Sequence, residues 1–171
     1  MVDVLHISKA TLGKVGALFS LFWLISYLFW GEYIDKKGPL RIRYLTILLF
    51  SFVPFFYFLA NRFQGVGLWL IFVAAAISGL AAGGGELSRF NYVSRIAAAD
   101  KVQSYWGIDF TLMGIRGVIA PFIGIGLKEV LGIGGAFMAA FFLIFAGFVL
   151  MALFAKRQAA VLSLHLKAGR V

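Results

Sequence analysis

The 171-residue sequence contains no cysteine and only two histidines, His6 and His165, which lie near opposite ends of the chain. The absence of cysteine excludes disulfides, thiol catalysis and thiolate metal sites. Two distant histidines leave metal chemistry almost no ligands. We therefore expect no metal and no other cofactor. A GxxxxGK[ST] phosphate loop is also missing, because residues 83–88 lack the lysine that would meet phosphates, so the sequence does not suggest ATP as an energy source.

Charged residues are scarce as well, at 13% of the chain, whereas soluble globular proteins carry about 25%. Hydrophobic residues reach 62%, and the mean hydropathy is +0.95. These values exclude an ordinary soluble domain. The 16 basic residues outnumber the 7 acidic ones and give a net charge of +9. They lie in short clusters between apolar stretches rather than along one basic face, which argues against a nucleic-acid partner.

Five apolar stretches are long enough to cross a bilayer, for which about 20 helical residues are needed. They cover about 14–30, 44–60, 67–96, 104–127 and 133–154. Pro54 predicts a kink in the second stretch. The third has two possible ends, near Gly85 where the apolar core stops, or near Ala97 if the hydrophobic pattern is followed further. The predicted fold class is therefore an all-α polytopic membrane protein with five transmembrane helices.

Lysine and arginine are unequally shared between the two sides of these stretches, which predicts the orientation. One side receives Lys36, Lys37, Arg41, Arg43, Arg89, Arg95, Lys101, Lys156, Arg157, Lys167 and Arg170, and the other receives Lys9, Lys14, Arg62 and Lys128. The positive-inside rule makes the first side cytoplasmic, so residues 31–43 and the basic tail 155–171 face the cytoplasm. The tail either rests on anionic lipid or is a solvated, disordered end. The expected location is the inner (cytoplasmic) membrane of the cell.

Residues 31–43 form a short charged segment between the first two apolar stretches. The segment has the order glycine, three residues, aspartate, a basic residue, one more residue and glycine, at Gly31, Asp35, Lys36 and Gly38. This order resembles the signature loop of the major facilitator superfamily, although Pro39-Leu40 stand where the strongest examples carry two basic residues. In that family the loop follows the second helix of each six-helix half and takes part in gating. The competing interpretation is an ordinary basic cytoplasmic hairpin.

The resemblance implies that the five stretches are the second to sixth helices of a half-bundle, with the first helix missing ahead of Met1. Residues 1–13 would then be the loop that follows the missing helix. The short basic tail and the lack of a second half favour a carboxy-terminal half, whose partners are membrane lipid and the missing amino-terminal half. The implied function is part of a permease, not an enzyme, that moves a small solute by alternating access. The alternative is a transport-incompetent remnant, or a five-helix subunit that packs against another membrane protein.

The fourth stretch contains two ionisable residues, Asp109 and Arg116. At 1.5 Å per residue, Arg116 lies roughly 18 Å inside the stretch that begins at Ser104, which is near the middle of the membrane. A charge at that depth needs a partner or a water-filled cavity, and it is a candidate functional residue. Asp109 precedes Arg116 by two helical turns on nearly the same stripe, so the two could just meet.

If the third helix continues beyond Gly85, Glu86 and Arg89 reach depths close to those of Arg116 and Asp109. Two ion pairs across the helices are then predicted. In one interpretation these charges only neutralise one another and fix helix register. In the other, Arg116 holds an anionic substrate group, or Glu86 and Asp109 exchange protons for coupling. Asn91 is a further candidate for substrate binding, although a polar residue near a helix end is more often solvated.

Glycine and proline predict where helices approach closely or bend. Gly79 and Gly83 form a small-xxx-small pair, and residues 83–85 remove three successive side chains, which permits close helix packing or a local break. In the fourth stretch, Gly117, Pro121 and Gly124 are candidates for packing and kinking. The alignment of that stretch with the antiporter motif of the family is weak, because Arg116 and Ala120 replace two of its glycines.

Overall fold

The computed structural model describes the backbone of residues 8–63 and 65–168, and the side chains of residues 8–63 and 65–157. Four long helices make up this part of the chain: α1 (Lys9–Lys37), α2 (Pro39–Arg62), α3 (Gly67–Ile96) and α4 (Val102–Ala168). No strand occurs among these residues, and the predicted all-α class is confirmed. His6, residues 1–7 of the predicted loop 1–13, and the side chains of residues 158–171, including that of His165, lie outside the described part of the chain.

Each of the four helices is long and apolar enough to cross a membrane, which defines a multi-pass membrane protein. The count of five spans is not confirmed, because the predicted fourth and fifth stretches fall within one candidate span of 56 residues, Val102–Arg157. Gly132 interrupts α4 with non-helical torsion angles, φ 69° and ψ 174°. We call residues 102–131 the first arm of α4 and residues 133–168 its second arm.

Helix α3 lies at the centre of the bundle and packs against α1 on one side and α2 on another. It continues through residues 83–85 without a break and ends at Ile96. Its contact with α1 is close because glycines face that helix. A Cβ atom on Gly79 would overlap the main-chain oxygen of Phe19, and one on Gly84 would lie 2.6 Å from the Trp30 ring. Trp30 also donates a 2.9 Å hydrogen bond from Nε1 to the carbonyl oxygen of Leu80.

The two arms of α4 contact different helices through aromatic rings. Phe148 and Phe137 of the second arm pack on Tyr44 and Tyr57 of α2, with ring centroids 6.2 Å and 5.7 Å apart. The first arm meets α3 where Trp106 packs on Phe90, at 4.6 Å between centroids. The second arm thus packs on α2 and the first arm on α3, so the two arms lie next to this pair of helices.

The connection between α1 and α2 is shorter than predicted. Helix α1 continues to Lys37, and α2 begins at Pro39. The expectation of a loop over residues 31–43 was therefore wrong, since Gly31, Asp35 and Lys36 lie on α1. Buried apolar side chains explain why helix continues here, because Ile34 and Ile42 pack in one cluster on either side of the turn.

Gly38 alone forms the turn between these two helices. Its φ of 80° lies in a region that favours glycine. A salt bridge of 2.5 Å between Lys36 and Glu32, one helical turn apart, is consistent with helical structure up to the turn.

The two prolines at which bends were predicted both lie inside helix, but in different surroundings. Helix α2 includes Pro54, which is buried, and remains one helix to Arg62. Pro121 lies within the first arm of α4, where a Cβ atom on Gly117 or Gly124 would meet nothing within 4 Å. The structure thus has open space where packing was expected, because no other described helix covers that face of the first arm.

Candidate functional site

A cavity of about 780 Å³ lies between α2, α3 and both arms of α4, within the usual range of ligand sites. Five charged side chains line it: Arg43, Glu86, Arg89, Asp109 and Arg116. Apolar side chains from the same helices, among them Phe50, Leu112 and Ile144, complete the wall. The structure therefore brings together four of the five residues that the sequence suggested for substrate binding or coupling, and adds Arg43.

Arg43 reaches the cavity from the first turns of α2. Its Nη1 donates a 3.0 Å hydrogen bond to the carbonyl oxygen of Gly85 on α3. A Cβ atom at Gly85 would lie 3.5 Å from the same nitrogen, which is ordinary van der Waals contact, so this hydrogen bond does not require a glycine there. The Ser88 hydroxyl, which is buried, donates to the same oxygen at 3.0 Å. The carbonyl oxygen of Gly85 thus holds this guanidinium at the wall of the cavity.

Arg89 and Asp109 form an ion pair between α3 and the first arm of α4. Arg89 Nη1 lies 3.3 Å from Asp109 Oδ2, and the two side chains are 18% and 34% exposed. The contact is not aligned as a hydrogen bond, because Asp109 Oδ2 and Arg89 Nε have no hydrogen-bond partner among the described residues. Arg89 Nη1 also lies 3.0 Å from the sulfur of Met113. This is one of the two ion pairs that equal depth predicted.

Aromatic rings surround the guanidinium of Arg89. Its Cζ atom lies 5.6 to 5.8 Å from the ring centroids of Phe90, Trp106 and Phe110. A guanidinium at this distance from aromatic faces is attracted by the ring quadrupoles. Arg89 is therefore held by a carboxylate and by aromatic rings, and it acts as a fixed link between α3 and the first arm.

Glu86 does not form the predicted ion pair with Arg116. Its Oε2 accepts a 2.6 Å hydrogen bond from the hydroxyl of Tyr27 on α1. The close approach of α1 to the glycines of α3 brings this phenol to the carboxylate. Arg116 is exposed to the cavity and makes no ion pair among the described residues, with Asp109 or with Glu86.

Several other predicted residues lie away from the cavity. Asn91 does not line it, and its Nδ2 donates a 3.0 Å hydrogen bond to the carbonyl oxygen of Leu87 in the preceding turn. The motif residues Gly31, Asp35, Lys36 and Gly38 lie at the junction of α1 and α2. Asp35 and Lys36 are exposed there.

Sequence reasoning missed Arg43 and Tyr27. Arg43 was counted only as one of the basic residues of the segment 31–43, although Pro39 is a favourable first residue of a helix and would have placed Arg43 inside α2. Tyr27 carries no comparable signal, because only the packing of α1 on α3 brings it to Glu86. Within the described residues, no group of three histidine or acidic side chains is placed to hold a metal ion.

A comparison with protein families identifies the class of this chain. The sequence model of the Major Facilitator Superfamily matches residues 1–170. The chain belongs to this superfamily of membrane transporters, and the predicted family is confirmed. No curated protein and no solved structure matches the chain significantly.

Proposed function

We propose that this chain is part of a secondary transporter, an MFS-type permease rather than an enzyme, that moves a small solute by alternating access. The observation that carries the proposal is the 780 Å³ cavity lined by five charged side chains, in a chain that belongs to a transporter superfamily. Charges within membrane helices are costly and commonly mark substrate or ion pathways. The solute is proposed to bind in this cavity, with an amino-terminal half of the transporter as the partner that closes it.

The proposal includes five membrane crossings, with α4 crossing twice. Two observations support a reversal of the chain at Gly132. In one straight helix, Arg116 and Ile144 would lie roughly 42 Å apart at 1.5 Å per residue, yet both line the same cavity. According to their contacts, the first arm runs antiparallel to α3 and the second arm runs antiparallel to α2. Helices α2 and α3 themselves run in opposite directions, so the two arms also run in opposite directions.

With five crossings, the distribution of lysine and arginine supports a cytoplasmic location for residues 31–43 and for the carboxy-terminal tail. The junction of α1 and α2 is then the cytoplasmic element of the gate, as the family motif implies. The proposed location is the inner (cytoplasmic) membrane.

The charged residues of the cavity are assigned different roles. Arg116 is proposed to bind an anionic group of the solute, since it has no carboxylate partner among the described residues. Glu86 is the candidate for proton exchange, because its described partner is the neutral hydroxyl of Tyr27. Asp109 and Arg89 are assigned to holding α3 against the first arm, and Asn91 to helix structure.

Transport by the assembly purified from its native membrane and reconstituted in vesicles tests this proposal. A panel of labelled anionic, neutral and cationic small solutes would identify one that accumulates. We expect Arg116→Gln to reduce uptake of that solute by about tenfold or more, the loss of one charge-assisted hydrogen bond. Lys128→Gln, an exposed cation near the end of the same arm, is the control and should transport normally.

Unchanged uptake by Arg116→Gln would reject the assignment of the site. The absence of transport for every solute, together with a stable complex between this chain and a protein that is not a transporter, would instead favour a membrane subunit or a remnant without transport activity. The protein composition of the purified assembly therefore distinguishes a transporter from a membrane subunit or remnant without transport activity.

A further inference from the structure

The five charged side chains that line the cavity differ in whether they have a partner of opposite charge or a side-chain hydrogen bond. Arg89 is paired with Asp109 and surrounded by aromatic rings, and Glu86 accepts a hydrogen bond from Tyr27. Arg43 and Arg116 form no ion pair with any described residue. Two guanidinium groups from different helices thus border one cavity without a carboxylate partner.

We propose that Arg43 and Arg116 together bind a phosphate group in this cavity, either as inorganic phosphate or as part of a phosphorylated solute. The proposal rests on the proposed function, because it names the class of solute for the same site. An unpaired charge at the depth of Arg116 is costly, and an anion bound between it and Arg43, which enters the cavity from the first turns of α2, would offset that cost.

The choice of phosphate follows from the number of cations and from their positions on different helices. One guanidinium fork satisfies both oxygens of a carboxylate. A phosphate group carries oxygens in several directions and can accept hydrogen bonds from two forks that approach from different helices. Arg43 is suited to this role because its contact with the Gly85 carbonyl uses Nη1, and the remaining N–H groups are available to the ligand.

The rest of the cavity suits an anion that carries an organic group. A volume of about 780 Å³ exceeds what phosphate alone would fill, and Phe50 and Leu112 provide apolar wall. Glu86 forms no ion pair with an arginine among the described residues and accepts a hydrogen bond from Tyr27 instead. Three arginines and two acidic side chains line the cavity, so the positive charge of the wall exceeds the negative charge and favours an anion.

Equilibrium binding of radiolabelled inorganic phosphate to the native assembly, in nanodiscs of phosphatidylcholine only, tests this inference. We expect saturable binding that falls by about tenfold or more in Arg43→Gln and in Arg116→Gln. Arg62→Gln is the matched control, because it removes an exposed arginine from the opposite end of α2. Arg116→Lys should bind with intermediate affinity, since it keeps the charge and loses the fork. Size-exclusion profiles and circular dichroism would show that each variant is folded.

A lipid phosphate is an alternative source of the same chemistry. Nanodiscs that contain phosphatidylglycerol distinguish the two, because a site for lipid headgroups would lose its binding of free phosphate there, whereas a solute site would keep it. Both results support a phosphate site formed by the two arginines. Acetate that competes as well as phosphate would overturn the proposal, and so would phosphate binding that is unchanged in both arginine variants.

The transport experiment is independent of this binding experiment. Accumulation of a neutral or cationic solute without any phosphate binding would reject the phosphate site while retaining the transporter. Phosphate binding that depends on both arginines, in an assembly that moves no solute, would retain the site and reject the transport function.

Discussion

The two sides of α3 differ in how closely they are packed. Toward α1, Gly79, Gly83 and Gly84 bring the helix backbones together and leave no room for even a methyl group. Toward α4, Glu86 and Arg89 border a cavity of about 780 Å³. Close packing gives van der Waals contact but no space for a ligand, whereas the open side carries the charges. Substitutions on the first side should therefore change stability, and those on the second should mainly change binding.

The largest effect on stability is expected from Gly79→Ala. The added methyl group would overlap main-chain atoms of Phe19 and Trp23, which cannot move aside as a side chain can. We expect the free energy of unfolding to fall by about 3 kcal/mol, the upper part of the usual range for overpacking. Reversible unfolding in mixed micelles would measure it.

Gly117→Ala is the matched control for that substitution. A methyl group at Gly117 meets nothing within 4 Å, and alanine favours a helix over glycine by about 1 kcal/mol in water. This variant should therefore be as stable as the parent or slightly more stable. Equal losses of stability in the two variants would mean that the close contact between α3 and α1 does not determine the cost of Gly79→Ala.

A smaller effect is expected where α3 meets the first arm. Arg89→Met leaves Asp109 without its cation, and Asp109→Leu leaves Arg89 without its carboxylate. Each single change should cost about 2 kcal/mol, less than for a fully buried pair because both side chains are partly exposed. The double variant should cost less than the sum of the two. A purely additive result in a double-mutant cycle would show that the two charges do not interact.

The smallest effect on stability is expected from Tyr27→Phe, which removes the hydrogen bond that Tyr27 of α1 donates to Glu86 of α3. The loss should be about 1 kcal/mol. Tyr33→Phe, at an exposed tyrosine of the same helix, should have no effect. If Glu86 exchanges protons, the pH dependence of transport should shift in Tyr27→Phe and stay the same in Tyr33→Phe. Identical profiles in both variants would argue against Glu86 as the coupling residue.

The sequence predicted the all-α membrane class because composition and the length of apolar stretches depend on the bilayer and not on packing details. It also predicted the pair Arg89 and Asp109, since regular helix geometry gives depth from residue number. The same argument failed for Glu86, because depth alone does not say which neighbouring helix offers a better partner.

The structure also differs from the sequence-based prediction at residues 31–43. The charged composition of this segment predicted a loop, yet Gly31, Asp35 and Lys36 lie on α1. Ile34 is 1% exposed and Ile42 is fully buried, so apolar contacts on both sides of Gly38 outweigh the polar composition. Local composition is a weaker guide than tertiary contact at a boundary of this kind.

The sequence by itself determined that this chain is a helical membrane protein, because hydropathy and the distribution of charge are properties of the chain alone. It was also sufficient to assign the chain to a transporter superfamily. Only the tertiary structure decided which charges are paired and which border the cavity. Arg43, Arg116 and Tyr27 take their surroundings from residues far away in sequence, on helices whose packing depends on the missing side chains at positions such as Gly79 and Gly84. No local pattern encodes those contacts, because they exist only after the helices have packed.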